Sequence, residues 1–283
     1  MEYYDRGGEI EVAGVSDFNL SRIFECGQCF RWNADEYGVY TGVALNHAAY
    51  LRHAGKSVFI SGSIEDFENI WRDYFDLDRD YGIIRQRLCI DDFMRMATAF
   101  GKGLRILRQN RWEVLCSFII SQCNNIPRIK RIIEVLCLEF GESFLFNGKK
   151  HYTFPTAHTL AMLDEIALAP LRCGYRASYI IEAATAVDSM VLDLDRLSRV
   201  SPEIACKELK KLSGVGDKVA NCAMLFGLNI LNAFPLDVWI KRAINQYYCS
   251  GFDPALFSPY AGIAQQYMFY YIRTTAKTNA SVD

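Results

Sequence analysis

The 283-residue chain lacks any apolar run approaching the ~20 residues that a membrane-crossing helix needs. It lacks a dominant charge: 31 basic and 33 acidic side chains leave −2 at neutral pH, so composition alone announces no polyanion binder. The start, Met-Glu-Tyr-Tyr-Asp-Arg, has neither a signal peptide's apolar segment nor a transit peptide's arginines, and a cytoplasmic location is expected. With no secretory signal, the ten cysteines belong in a reducing compartment. Cys26-Gly27-Gln28-Cys29 is their only C-x-x-C, and no second pair completes a four-cysteine zinc site, so no metal is expected. A redox C-x-x-C usually follows a strand and opens a helix. Here Phe30-Arg31-Trp32 follows, which does not read as a helix start. Internal repeats and low-complexity tracts are absent.

What is present is a 51% apolar, 23% charged chain, the mix of a globular protein long enough for about two domains. Charge divides along it. Residues 1–100 carry 10 basic and 17 acidic side chains, and residues 101–283 carry 21 and 16. Such asymmetry fits a polyanion-binding part beside an acidic part. Residues 1–63 read as antiparallel β, with short strands at 38–45, 49–52 and 57–60 between turn residues. From Ile64 the period becomes helical, with Ile64, Phe67, Trp71 and Phe75 on one face. Pro127 sits in the first turn of a helix ending near Phe140, stopped by Gly141. Residues 175–190 form another helix, Ser201-Pro202 opens one to about Lys211, and Ser258-Pro259 opens the last. The polar tail from Thr274 is expected to fray. The fold class is α+β: an N-terminal antiparallel β domain with flanking helices over residues 1–95, and a mostly helical domain over residues 96–283.

The most informative stretch is Leu212-Ser213-Gly214-Val215-Gly216-Asp217-Lys218-Val219-Ala220-Asn221-Cys222. Two glycines two apart allow a tight turn with positive φ. They also leave backbone N–H groups uncovered near a helix N-terminus, where they can hold a phosphate without reading any base. The pattern is that of a helix-hairpin-helix, at about residues 201–229; a plain glycine-bearing connection is the alternative. Lys218 falls in the first turn of the second helix, whose positive end disfavours an ammonium. A neutral amine there can act as a Schiff-base nucleophile. A phosphate-binding or merely solvated lysine remains open. Nineteen residues on, Phe234-Pro235-Leu236-Asp237 places Asp237 as a helix N-cap. A carboxylate near Lys218 can also shuttle protons or stabilise a developing sugar cation.

Together these features resemble the helix-hairpin-helix DNA glycosylase superfamily, and further segments narrow the resemblance. Gly27-Gln28-Cys29-Phe30-Arg31-Trp32 is similar to the G-Q-x-F-R-W segment of 8-oxoguanine DNA glycosylases. Ser121-Gln122-Cys123-Asn124-Asn125-Ile126-Pro127-Arg128 resembles their asparagine-rich segment. Gly174-Tyr175-Arg176-Ala177 matches their G-Y-R-A, and Pro259-Tyr260-Ala261-Gly262 with Gln265 and Phe269 matches their last helix. The blocks run in family order over nearly the whole chain. The resemblance implies excision of 8-oxoguanine, preferably opposite cytosine, from duplex DNA, then strand cleavage at the abasic sugar. It implies a monomer needing no cofactor, in a bacterium associated with the nucleoid. By resemblance Lys218 attacks C1′, Asp237 assists, and the damaged base is flipped out. The Gly27 carbonyl accepts from N7–H, a donor that ordinary guanine lacks. Cys222, four residues after Lys218 on the same helix face, and Phe269 sandwich the base, while Gln265 reads its Watson–Crick edge. On sequence alone Phe269 reads equally as core. Tyr175 wedges into the gap, Arg128 and Arg176 contact the orphaned cytosine, and Asn124, Asn125, Gly214, Val215 and Gly216 complete the DNA-binding set. For both arginines, phosphate contact or a surface ion pair is the alternative.

Three positions depart from the family pattern. Cys123 stands where an asparagine usually helps fill the gap, which loosens the expected opposite-base recognition. Trp239 and Ile272 replace a histidine and an aspartate of eukaryotic members, which suggests a bacterial member. Rival readings are an endonuclease III-type glycosylase for oxidised pyrimidines, a non-enzymatic hairpin DNA-binding protein, and a thiol oxidoreductase using Cys26 and Cys29. Many of the first kind end in a four-cysteine iron–sulfur loop, whereas here Cys249 alone follows the Pro-x-Asp segment.

Overall fold

The computed structural model describes residues 1–248 and 251–280, so Cys249 lies outside the described residues. Six strands form one antiparallel sheet: β1 (Glu2–Asp5), β2 (Glu9–Ala13), β3 (Trp32–Ala34), β4 (Tyr40–Ala44), β5 (His47–Ala54) and β6 (Ser57–Ser61). Their spatial order is β1-β2-β6-β5-β4-β3. Alternation sets the register, since successive side chains face opposite sides. Ile10, Leu51 and Ile60 pair across three adjacent strands, and all three are buried. Leu45 and Asn46 join β4 to β5 with φ of 51° and 65°, the signature of a two-residue type I′ hairpin turn.

An aromatic cluster covers the buried face. Phe24 stacks on Trp32 with centroids 4.5 Å apart, and Trp32 Nε1 donates to Tyr74 Oη at 2.8 Å. The helical segment from Ile64 to Tyr74 supplies much of this cluster and carries a π turn at Phe67–Trp71. Phe67, Trp71 and Phe75 point inward, as their spacing predicts. Ile64 does not. The reciprocal Ser63–Asp66 capping box sets it in the first turn, where it is 44% exposed.

The remainder is mainly helical. Helices at Ile126–Phe140, Arg176–Asp188 and Pro202–Leu209 fall where the sequence places them. The centre of this part is the helix Asp217–Phe226, flanked by Arg111–Ile120; Phe118 and Phe226 stack between them at 5.3 Å. A small hairpin, Ser143–Phe146 with Lys149–Tyr152, was not anticipated. The last helix, Ala261–Ala280, continues through Thr274, where the sequence predicts fraying to begin, and residues 281–283 of that tail lie outside the described residues. Ile272 is buried in the core, Arg273 Nη1 donates to the Glu25 carbonyl at 2.9 Å, and Thr275 Oγ1 bonds back to the Tyr271 carbonyl.

The sheet core ends near Leu77, and buried residues from Tyr81 onward belong to the helical core, apart from Leu107. The segment 26–32 joins the two. Cys26 and Phe30 enter the helical core, whereas Cys29 and Trp32 enter the sheet core. Gly27 therefore lies at the seam.

Candidate active site and nucleic-acid interface

The hairpin between helices Pro202–Leu209 and Asp217–Phe226 uses its two glycines differently. Gly214 has φ +75°, and a Cβ there would meet the Tyr179 ring at 2.3 Å. The positive φ that the glycine pair allows is used at Gly214, whereas Gly216 has φ −92°. A Cβ at Gly216 would meet nothing within 4 Å. Gly216 is the N-cap of the second helix and no side chain caps that end. First-turn N–H groups have no intrahelical acceptor. The helix Arg176–Asp188 braces the hairpin from behind through the Tyr179 ring and Glu182 Oε1, which accepts from Ser213 N–H at 2.9 Å.

Lys218 extends from the first turn of that second helix and is half-buried. Its Nζ lies 3.2 Å from Ser121 Oγ and 5.4 Å from the Phe118 ring centroid. Asp237 caps the helix Val238–Tyr247, its carboxylate accepting from Ile240 N–H at 2.9 Å. Burial pushes the Asp237 carboxyl above the ordinary aspartate range. The Ile240 N–H bond, the Lys218 charge, the Trp239 N–H and the Arg273 charge pull it back without cancelling burial. Cys222 is buried one turn beyond Lys218, and burial pushes its thiol up to about 12, against the pull of Lys218. One amine thus acts on both Cys222 and Asp237.

Gly27 and Phe269 are neighbours at the junction of the two cores. Gly27 has φ +82°, and a Cβ there would sit 3.3 Å from Ile126 Cδ1 and 3.7 Å from Phe269 Cε1. The neighbouring Gln28, 1% exposed, fixes this loop. Its Nε2 donates to the Ile23 and Arg105 carbonyls, and its Oε1 accepts from Leu107 N–H. Phe269 is half-buried on the last helix, with the Arg273 guanidinium 5.7 Å from its ring centroid. Gln265, one turn before it, is buried; Nε2 donates to the Pro235 carbonyl at 3.0 Å and Oε1 accepts from Gln266.

The residues expected to face the opposite strand form a second group. Tyr175 is 51% exposed at the start of its helix and meets Tyr179 edge-on at 5.7 Å. Asn125 caps the helix Ile126–Phe140 through a bond from Arg128 N–H, and Asn124 Nδ2 donates to the Ile120 carbonyl. Both asparagines thus shape the turn. Cys123 at its apex is exposed, with φ +46°. Arg128 is exposed and donates one bond, to the Arg172 carbonyl at 3.1 Å. Arg176 differs: it is 4% exposed and donates to the carbonyls of Gln122, Cys173 and Cys123. Its observed work is to hold the 121–123 turn.

Sequence reasoning did not single out Gln28, Ser121, Tyr179, Glu182 or Arg273. Two carried usable signals: Ser121 opens the asparagine-rich segment, and Arg273 lies one helical turn past Phe269. Cys26 and Cys29 are buried, and burial raises both thiols, Cys26 to about 12. A thiolate is the reactive form, so this C-x-x-C is poorly disposed to thiol exchange. Trp239 packs against the helical core and Ile272 is buried in it.

Residues 12–115 match the 8-oxoguanine DNA glycosylase N-terminal domain, and residues 116–254 match the HhH-GPD superfamily of base excision DNA repair proteins. The yeast (Saccharomyces cerevisiae) N-glycosylase/DNA lyase is 29% identical over 259 residues, covering 82% of this chain and 69% of its own. Among solved structures, MBOgg1 in complex with a low-affinity DNA ligand shares 43% identity at a TM-score of 0.92, covering 98% of this chain and 100% of that one. The Clostridium acetobutylicum 8-oxoguanine glycosylase/lyase, in complex with double-stranded DNA containing cytosine opposite 8-oxoguanine, shares 35% identity at a TM-score of 0.92, covering 98% and 99%. With both halves matched in order, the chain belongs to the 8-oxoguanine DNA glycosylase family.

Proposed function

We propose that this protein is a bifunctional DNA glycosylase and abasic-site lyase that removes 8-oxoguanine from duplex DNA, preferably opposite cytosine. The observation carrying this reading is the placement of Lys218: it stands in the first turn of the helix that follows the open hairpin, one turn before the buried Cys222, with Nζ held 3.2 Å from Ser121 Oγ. The neutral amine attacks C1′; the C1′–N9 bond breaks, and the base leaves with the electron pair and a proton. The sugar then opens to an imine on Lys218. Loss of the C2′ proton expels the 3′-phosphate, and water releases the amine. Asp237 stabilises the developing sugar cation, as a partly desolvated carboxylate does well.

Recognition rests on complementarity. The Gly27 carbonyl accepts N7–H of the oxidised base, while guanine would set two acceptors face to face. A site that requires a hydrogen bond rejects the partner lacking it far better than an apolar pocket does. Cys222 and Phe269 flank the ring, and the anchored Gln265 amide turns its remaining N–H to the base edge. Tyr175 fills the vacated gap, Arg128 reads the orphaned cytosine, and Arg176 supports it through the turn it pins. Gly214, Val215 and Gly216 present the backbone clamp, with Asn124 and Asn125 shaping the facing turn.

Borohydride trapping on duplexes carrying 8-oxoguanine or thymine glycol tests this reading. The expected result is a covalent adduct and base release with 8-oxoguanine. Trapping on thymine glycol alone would support a pyrimidine-lesion enzyme instead. Binding without any adduct would reduce the protein to a hairpin clamp.

A further inference from the structure

Ser121 follows the helix Arg111–Ile120 as its C-cap and is 8% exposed. Its hydroxyl donates to the Phe118 carbonyl at 2.8 Å, so its single proton is spent there. The same oxygen lies 3.2 Å from Lys218 Nζ and therefore accepts an N–H from the amine. Ser121 offers Lys218 only lone pairs. It cannot donate into the electron pair of a neutral amine, so it restrains the nitrogen without masking its nucleophilic side. The Phe118 ring borders the nitrogen on another side.

The anchor is itself fixed. Arg176, 4% exposed, donates to the carbonyls of Gln122 and Cys123, the two residues after Ser121, and to that of Cys173. Asn124 Nδ2 ties the far side of the turn to the Ile120 carbonyl at 3.1 Å. A lysine stem is flexible, with four carbons between backbone and nitrogen. Attack needs the reacting atoms about 3–3.5 Å apart and aligned. A rigid acceptor at the tip of that stem narrows the amine's positions before the sugar arrives.

We propose that Ser121 is a positioning residue for Lys218, holding one amine N–H so that the lone pair is directed at C1′. The proposal rests on the reading of Lys218 as nucleophile. It extends to the hydroxyl of Ser121, which opens the segment whose Asn124, Asn125 and Arg128 are expected to contact DNA.

The test compares Ser121→Ala, Ser121→Cys and Ser121→Thr with wild type in three measurements. These are affinity for a duplex bearing a tetrahydrofuran abasic analogue, single-turnover release of 8-oxoguanine, and the rate of borohydride-trapped adduct formation. The analogue cannot form an imine, so it reports binding alone. Ser121→Ala and Ser121→Cys, which remove the oxygen, should bind the analogue normally, yet release base and form adduct roughly tenfold more slowly, the scale of one lost hydrogen bond. Ser121→Thr, which restores a hydroxyl, should recover the rate. A merely structural serine would lower melting temperature or binding and leave the chemical rate of the folded protein unchanged. A wild-type rate in Ser121→Ala, or Ser121→Thr no faster than Ser121→Ala with binding intact, overturns the proposal. A wild type that releases base but forms no adduct overturns the nucleophile reading itself, and the role of Ser121 with it.

Discussion

The substitution Gly27→Ala separates backbone strain from loss of the base site. Gly27 has φ +82°, where an alanine costs roughly 1–2 kcal/mol. The new methyl would stand 3.3 Å from Ile126 Cδ1, which must yield by a few tenths of an ångström, and 3.7 and 3.9 Å from two Phe269 ring carbons. A domain held by about 5–15 kcal/mol survives such a loss almost wholly folded at 25 °C. The melting temperature should fall by about 2–8 °C, at about 2–4 °C per kcal/mol for a chain approaching this size. Excision should fall much further. The methyl would enter the space beside Phe269, and the carbonyl proposed to accept N7–H would shift with its peptide. A buried hydrogen-bonding group left unpaired costs about 1–3 kcal/mol, on the order of 10- to 100-fold in rate. The assay is single-turnover 8-oxoguanine release at 25 °C, with thermal melting on the same preparation. A folded Gly27→Ala protein excising at the wild-type rate would refute this placement of the pocket.

Three further outcomes follow from the geometry. Gly216→Val, with open space at its Cβ, should fold normally yet weaken binding to damaged and undamaged duplexes alike, with a shallower salt dependence. Gly214→Ala should instead destabilise the fold against Tyr179; a loss in Gly216→Val confined to lesion-bearing DNA would contradict the clamp. Arg128→Ala should flatten the order of excision opposite the four bases, a loss on the order of 1–3 kcal/mol of discrimination, while excision opposite cytosine falls only moderately; an unchanged order would leave Arg128 a phosphate or structural residue. Asp237→Asn keeps the cap to Ile240 N–H but removes a carboxylate whose pKa burial raises. A raised folded pKa means that this group's stability is present at low pH and lost as pH rises through that pKa. The variant should therefore melt above wild type at pH 7, with the gain vanishing on acidification, while excision drops. A lower melting point at pH 7 would mean that attraction to Lys218 and Arg273 outweighs burial.

Legibility followed the range of the signals. Period-2 alternation in β5 and β6, and the caps at Ser201 and Gly141, depend on neighbours in sequence and could be read directly. Phe67, Trp71 and Phe75 were read as one inward face, but the π turn and exposed Ile64 depend on a capping box and on packing. The hairpin 143–152 lacks alternation in its strands, but its turn was legible: Asn147-Gly148, with φ of 49° and 70°, is a two-residue hairpin signal. The last helix outruns its polar sequence because Arg273 finds the Glu25 carbonyl, a partner 248 residues away. At the site, the glycine pattern was legible but not its division of labour: Gly214 is set by the Tyr179 ring, Gly216 by open space. Arg176 was read as a DNA contact because arginines beside a wedge residue invite that reading. The structure commits its guanidinium to carbonyls of a turn more than fifty residues earlier in the chain. Ser121 became visible only when two helix ends met.

Borohydride reduction of the complex with an 8-oxoguanine:cytosine duplex, followed by proteolysis and mass mapping, locates the covalent bond. The prediction is a single modified peptide with the deoxyribose remnant on Lys218, and no adduct in Lys218→Gln although that variant still binds the lesion. An adduct on any other lysine, or one that persists in Lys218→Gln, would contradict the proposed chemistry.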